Sequence, residues 1–269
     1  MRIFQVDAFT GSAFGGNPAA VCLLPGPAEP AWMQRVAAEM NLSETAFLEP
    51  RDGGYGLRWF TPAVEVALCG HATLASGHVL YETGLARPGE AIRFDSASGT
   101  LTARQDGPAI ALDFPATPAR EAGPPPDVLA ALGVIPPVTG PAWTGRSRDD
   151  LLIVLAAEEE VTALAPDFGK LAAAGGRGII VTAPTSRSDA DFVSRFFAPA
   201  VGVAEDPVTG SAHCTLAPYW CGRLGRAALT GYQASARGGT VRVRLAGDRV
   251  ILTGQAVTVL TGELTAAAM

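Results

Sequence analysis

A chain of 269 residues, 48% apolar and 17% charged, has the composition of a folded globular protein and is long enough for one large domain or two modest ones, each with its own core. Its formal charge of −6 comes with Lys170 and the arginines scattered singly, so there is no basic stripe for nucleic acid. The chain has no run of 18 apolar residues to cross a membrane, and Cys22, Cys69, Cys214 and Cys221 lack the paired close spacing of a zinc ribbon.

In chain order, Met1 to Asp7 reads as a strand without the apolar run and cleavage site of a signal peptide, so a cytoplasmic location is expected. A helix follows near residues 31–40, then strands at 45–49 and 57–60. The turn Cys69-Gly70-His71 opens a longer helix that runs to Thr83 and stops at Gly84, a natural residue for the left-handed position after a helix. After a hairpin of alternating β-formers comes a Pro-rich stretch, residues 116–141, which reads as a linker between halves at 1–115 and 142–269, with the last strand free to cross back to the first half. The second half offers a helix near 166–174, strands at 178–183 and 192–197, a turn containing Asp206 and Gly210, and a helix from Ser211 to Arg223 that ends near Gly225. Both long helices are apolar nearly all round, which predicts that each is buried in the middle of its half.

The chain therefore repeats itself once. Residues 58–67 match residues 195–204 at seven of ten positions with an offset of 137, and Gly99-Thr100-Leu101 recurs as Gly239-Thr240-Val241 at an offset of 140. Three extra residues must lie between these blocks, and they fit between Asp206 and Gly210, which sets Cys69 against Asp206. Two pseudo-symmetric halves of mixed helix and strand are expected, each with its long helix buried in the middle.

Chemistry is expected where the halves differ, in the cleft that two such halves form. Each long helix is preceded by a glycine, Gly70 or Gly210, so backbone N–H groups and the positive dipole end are presented to a ligand; a carboxylate suits such a pair better than a phosphate, since no Walker-type lysine is present. Taken alone, Ser211 is also an ordinary N-cap and Asp206-Pro207 an ordinary turn. His71 is a mediocre cap, in a chain with three histidines, at the place where the other half has Ser211. Glu44 precedes a strand whose counterpart begins near Gly178, so one half carries an acid that the other lacks. A metal site from Cys69, His71, His213 and Cys214 matches no ligand spacing, and none is expected.

At these residues the sequence resembles the PhzF-like family, named for the phenazine-biosynthesis isomerase and related to diaminopimelate epimerase. The resemblance rests on Val6-Asp7-Ala8-Phe9, Gly16-Asn17-Pro18-Ala19-Ala20-Val21, Leu42-Ser43-Glu44-Thr45-Ala46-Phe47, Arg58-Trp59-Phe60-Thr61-Pro62, Cys69-Gly70-His71-Ala72-Thr73 and Glu205-Asp206-Pro207-Val208-Thr209-Gly210-Ser211-Ala212-His213, in family order. It implies a diaminopimelate epimerase-like α+β fold, with two pseudo-symmetric halves that each wrap a β-barrel-like sheet around a central buried helix, and a cofactor-independent isomerase in which Glu44 is the general acid and base. It also implies that His71, Asp206 and Ser211 bind and orient a small substrate whose carboxylate lies near the helix starts, with Asn17, Gly70 and Gly210 among the binding residues. A homodimer is the expected assembly, with neither a nucleic acid nor a membrane as partner. Two other readings stand beside this one: an epimerase or racemase using Cys69 with Asp206, and a metabolite-binding protein that has lost turnover.

Overall fold

The computed structural model describes residues 1–123, 125–134, 140–174 and 176–265. The chain forms two α+β units, one comprising Met1–Phe114 together with the residues from Ile251 on, the other Pro115–Val250. The first begins with β1 (Arg2–Ala8), β2 (Asn17–Leu23), α1 (Pro30–Met40), β3 (Glu44–Arg51), β4 (Gly54–Phe60) and the short β5 (Glu65–Val66). It continues through α2 (Gly70–Glu82), β6 (Ala91–Ser96), β7 (Gly99–Asp106) and β8 (Ala109–Pro115). The second contains β9 (Arg120–Glu121), α3 (Pro126–Leu132), β10 (Trp143–Arg146), β11 (Asp150–Val154), α4 (Glu158–Thr162) and α5 (Phe168–Ala174). There follow β12 (Gly178–Pro184), β13 (Phe192–Phe197), a 3-10 turn at Pro199–Val201, α6 (Gly210–Leu224), β14 (Ala228–Gln233) and β15 (Gly239–Ala246). β16 (Arg249–Gly254) leads out of the second unit, and β17 (Ala256–Glu263) pairs antiparallel with β1.

The same succession of pairings appears twice. β1–β2, β3–β4 and β6–β7 are antiparallel, whereas β2–β3 and β4–β6 are parallel. In the second unit β10–β11, β12–β13 and β14–β15 are antiparallel, and β11–β12 and β13–β14 are parallel. Registers agree as well: Thr45 faces Phe60 and Phe47 faces Arg58, just as Ile179 faces Phe197 and Val181 faces Arg195. Strands buried on both faces need continuous apolar runs, and Leu151 to Val154 and Ile179 to Val181 supply them.

Each unit is organised on its long helix. α2 buries residues 71–77, Val79 and Leu80 and gives way to Gly84 at φ 72°; α6 buries Gly210, residues 212–217, Trp220 and Cys221 and ends on Gly225 at φ 65°. Pro218 inside α6 has no N–H to give the Cys214 carbonyl, and the Thr117 N–H, at 3.0 Å, fills that place. The Pro-rich stretch read as a linker is instead structural. Its helix α3 buries Val128, Leu129, Ala131 and Leu132 in one cluster with Leu151, Ile153 and Ile179. Residues 124 and 135–139 of that stretch lie outside the described residues.

Candidate functional site

In the first unit the polar groups gather at the head of α2. The chain enters β2 through a bend in which Phe9 (φ 63°), Phe14 (φ 70°) and Gly16 (φ 61°) take left-handed backbone, and buried Asp7 accepts from the Phe14 N–H at 2.7 Å. Gly16 is required there, because a Cβ would lie 2.1 Å from the Ala8 carbonyl oxygen. The bend delivers Asn17 to the start of β2. Parallel pairing of Ala19 with Glu44 then sets the Glu44 carboxylate at the neighbouring strand head.

His71, the second residue of α2, lies between them: Nδ1 is 3.1 Å from Asn17 Nδ2, and Nε2 is 3.2 Å from Glu44 Oε2. Burial holds the imidazole pKa down at about 3, so it is neutral at pH 7. An amide nitrogen only donates, which makes Nδ1 the acceptor, places the proton on Nε2 and directs that N–H at Glu44. Cys69, the residue before the helix, sits with Sγ 3.5 Å from His71 Nδ1 and makes no side-chain cap.

The second unit builds a different polar head on α6. Thr209 precedes the helix, donates through Oγ1 to Asp206 Oδ2 at 2.5 Å, and accepts from Gln233 Nε2 at 3.2 Å. Gln233, fully buried, also takes the Thr209 N–H at 2.9 Å and gives Nε2 to the Asp206 carbonyl at 2.7 Å. Ser211 follows Gly210, and Arg177 Nη2 reaches its Oγ at 3.2 Å. His213 is a core residue whose Nδ1–H donates to the Thr209 carbonyl at 2.8 Å, the task that Thr73 Oγ1 performs for Cys69 in α2 at 2.5 Å. His78 is half-buried, 3.1 Å from Thr258 Oγ1.

The structure places the extra residues of the second half earlier in the chain than the sequence repeat suggests. Arg58 forms a two-pronged ion pair with Glu65, at 2.7 Å on both prongs, and Arg195 forms the same pair with Glu205, at 2.7 and 2.9 Å. Trp59 pairs with Val66 across β4 and β5, and the Asp206 N–H donates to the Phe196 carbonyl at 3.1 Å. The three extra residues therefore lie in the turn that contains Pro199–Val201, before Glu205. Asp206 stands where the first unit has Val66, and the counterpart of Cys69 is Thr209. The Ala-Pro-Ala-Val-Gly-Val-Ala stretch matched past its true end because it is so low in information.

Of the residues expected to act, Asn17, Glu44, Gly70 and His71 come together at one helix start in the first unit, and Asp206, Gly210 and Ser211 lie at the other in the second. Thr209, Gln233, Arg177 and Asp150 escaped sequence reading; the clue to Arg177 was its place directly before Gly178, the residue aligned with Glu44. Among the described residues, Glu44, Cys69 and His71 offer donor atoms within 4.8 Å of one another, but they suit a metal poorly. The carboxylate lies at Nε2, whereas the thiol is nearer Nδ1, at 3.5 Å against 4.0 Å for Nε2, so the two do not converge on one ring nitrogen.

Comparison with solved structures first defines the class of fold. The chain matches a probable proline racemase of Agrobacterium radiobacter with a TM-score of 0.64 over 98% of this chain and 93% of the other, at 11% identity, a likeness of fold alone. The family is shown by closer matches. The chain belongs to the phenazine biosynthesis-like (PhzC-PhzF) family, whose model matches residues 6–262. It is 52% identical over 263 residues, 97% of each chain, to an uncharacterized isomerase of Halalkalibacterium halodurans. A PhzF family protein of Enterococcus faecalis superposes with a TM-score of 0.92 at 42% identity, covering 98% of each chain.

Proposed function

We propose that this chain is a cofactor-independent isomerase that moves a proton on a small carboxylate-bearing metabolite, with Glu44 as general acid and base. One observation carries the reading: a carboxylate, its side chain 17% exposed, held 3.2 Å from a buried neutral imidazole whose other nitrogen is fixed by Asn17. In that arrangement His71 orients Glu44 without being drawn into a permanent ion pair, and the carboxylate takes a proton from one carbon and returns it to another. Asn17, Gly70, Gly210 and Ser211 bind the substrate, and Asp206, aligned by Thr209 and Gln233, orients it. A cytoplasmic homodimer completes the proposal.

The test begins with thermal stabilisation by small carboxylic and amino acids, since a ligand at 100 times its Kd adds about 2.7 kcal/mol. Ligands found in this way are then incubated with the protein in deuterated water. Deuterium at carbon is the expected result; ligands that bind and never exchange would make the protein a binder. A second reading draws on the Cys69 thiol beside Nδ1, an epimerase in which Cys69 acts with Asp206. Loss of exchange in Cys69→Ala with exchange intact in Glu44→Gln would favour it.

A further inference from the structure

Pairing register sets Gly178 opposite Asp150 in the second unit, as Glu44 stands opposite Ala19 in the first, so Arg177 arrives at the strand head beside the position that holds Glu44. The strand-head to helix-start contact is kept at the same distance with its chemistry exchanged. It is carboxylate to imidazole at 3.2 Å in one unit and guanidinium to hydroxyl, Arg177 Nη2 to Ser211 Oγ, at 3.2 Å in the other.

The second contact is built into the fold. Asp150, 3% exposed, takes Arg177 Nη2 at 2.6 Å, and the Phe196 ring centre lies 5.9 Å from the guanidinium carbon. Gly178 makes this bracing possible, because a Cβ there would lie 2.3 Å from Phe196 Cζ and 2.6 Å from Asp150 Oδ1. Burial pushes the Asp150 carboxyl up and the Arg177 charge opposes that shift; among the described residues Oδ1 has no hydrogen-bond partner, so the acid is committed to Arg177. Yet Arg177 keeps 42% of its side chain exposed, and among the described residues Nε and Nη1 make no hydrogen bond to protein. Ser211 accepts from Nη2, which leaves its O–H as a donor.

Resting on the reading of the substrate as a small carboxylate-bearing metabolite, we propose that Arg177 is the specificity-determining residue that selects the carboxylate, together with the Ser211 hydroxyl and with Asp150 as its positioning residue. A guanidinium fixed at Nη2 by Asp150 and Ser211 holds its remaining donors, the Nε–H and Nη1–H groups, in one oriented plane, where each can give a charged hydrogen bond to a carboxylate.

The probes are benzoate and benzamide, alike in shape and different in charge, titrated calorimetrically into the whole chain. Wild type is expected to bind benzoate about tenfold or more tighter than benzamide, the worth of a charged hydrogen bond. Arg177→Gln abolishes the preference, and Arg177→Lys keeps part of it because the charge remains while the oriented planar donors are lost. Since Arg177→Gln leaves a buried acid unpaired, the double variant Asp150→Asn/Arg177→Gln provides the same reading in a neutral background. A wild type without preference overturns the proposal. So does a preference that survives in the double variant, or a lowered unfolding midpoint in Arg177→Lys with the full benzoate preference, either of which reduces Arg177 to a structural ion pair. Absence of deuterium exchange beside an intact, Arg177-dependent preference would sink the Glu44 reading and leave this one standing.

Discussion

The two helix starts share a backbone and differ in chemistry. In each, a glycine opens a buried helix, the preceding residue gives no side-chain cap, and the residue four positions on from it pins its carbonyl. On this common frame the first unit sets Asn17, His71 and Glu44 in a line of neutral donors ending on a carboxylate, whereas the second sets Asp150 and Arg177 against Ser211. A neutral imidazole beside a carboxylate suits a group that must give and take a proton; a braced guanidinium beside a hydroxyl suits a group that must hold an anion still. Repeating the frame lets one half change its chemistry without altering the other, so residues 44, 71, 177 and 211 differ in chemistry while the ladders stay in register.

Removing the acid breaks the comparison most. Glu44→Gln keeps shape and hydrogen-bonding capacity at the head of β3 and removes the proposed base, so deuterium exchange into a bound ligand should fall by about 10² or more. Ser211→Ala, on the other side of the comparison, should raise KM about fivefold, the cost of one hydrogen bond. Wild-type exchange in Glu44→Gln would shift the proton to Cys69 or Asp206.

Acid should destabilise both units, through different residues. Burial lowers the pKa of His71 to about 3 and of His213 to about 4, from an ordinary value of 6.5. Between those values the unfolded chain binds protons that the folded chain refuses, so the stability these two residues confer is complete above pH 6.5 and is lost as pH falls. The slope is about 1.4 kcal/mol per pH unit for each buried imidazole. Urea midpoints between pH 7 and 5 measure it, and His71→Asn and His213→Asn should each remove about half of the slope. An unchanged slope in His71→Asn would mean that the imidazole is already charged in the folded chain.

The repeated ion pair sharpens the contrast because its chemistry is identical and its burial is not. Side chains of Arg195 and Glu205 are 11% and 20% exposed, against 34% and 39% for Arg58 and Glu65, and Arg195 also donates to the Leu164 carbonyl at 2.7 Å. Arg195→Met should therefore cost about 3 kcal/mol. Arg58→Met should cost under about 1 kcal/mol, even though its hydrogen bonds hold the Glu65 carboxyl below its usual range. Double-mutant cycles with Glu205→Gln and Glu65→Gln give the two coupling energies, and equal values would remove burial as the cause.

How far this was legible from sequence followed from the kind of signal each feature leaves. The repeat and both buried helices, with His71 and Ser211 near their starts, are readable because apolar periodicity and helix-start residues are local. Residues 116–141 read as a linker because proline marks both linkers and helix starts, and the burial of Val128 and Leu132 is what separates α3 from a spacer. The insertion was misplaced because a run of Ala and Val aligns with itself at several offsets, whereas the Arg195–Glu205 pair, an interaction through space, fixes the register. Gln233 and Asp150 reach their helix start from strands 24 residues beyond Thr209 and 27 residues before Arg177, distances at which sequence pattern carries no information.

The smallest expected effect concerns the residue that pins each helix start. Thr73 Oγ1 donates to the Cys69 carbonyl at 2.5 Å, and the Thr73 N–H reaches the same oxygen at 3.2 Å, so that carbonyl has two donors. In α6 the Thr209 carbonyl likewise takes the His213 N–H at 3.3 Å and Nδ1–H at 2.8 Å. Thr73→Val preserves volume and branching in a fully buried position and deletes one of the two donors, leaving the acceptor satisfied. The cost should be about 1 kcal/mol, the net worth of one hydrogen bond, and it should appear as a lower urea midpoint with an unchanged m-value. The loosened Cys69 carbonyl bears on the backbone that carries Gly70 and His71, so exchange into a bound ligand should fall as well, by less than in Glu44→Gln. A neutral Thr73→Val with full exchange would show that the backbone bond alone holds the start of α2, and that the matching side chains in the two units are packing residues rather than pins.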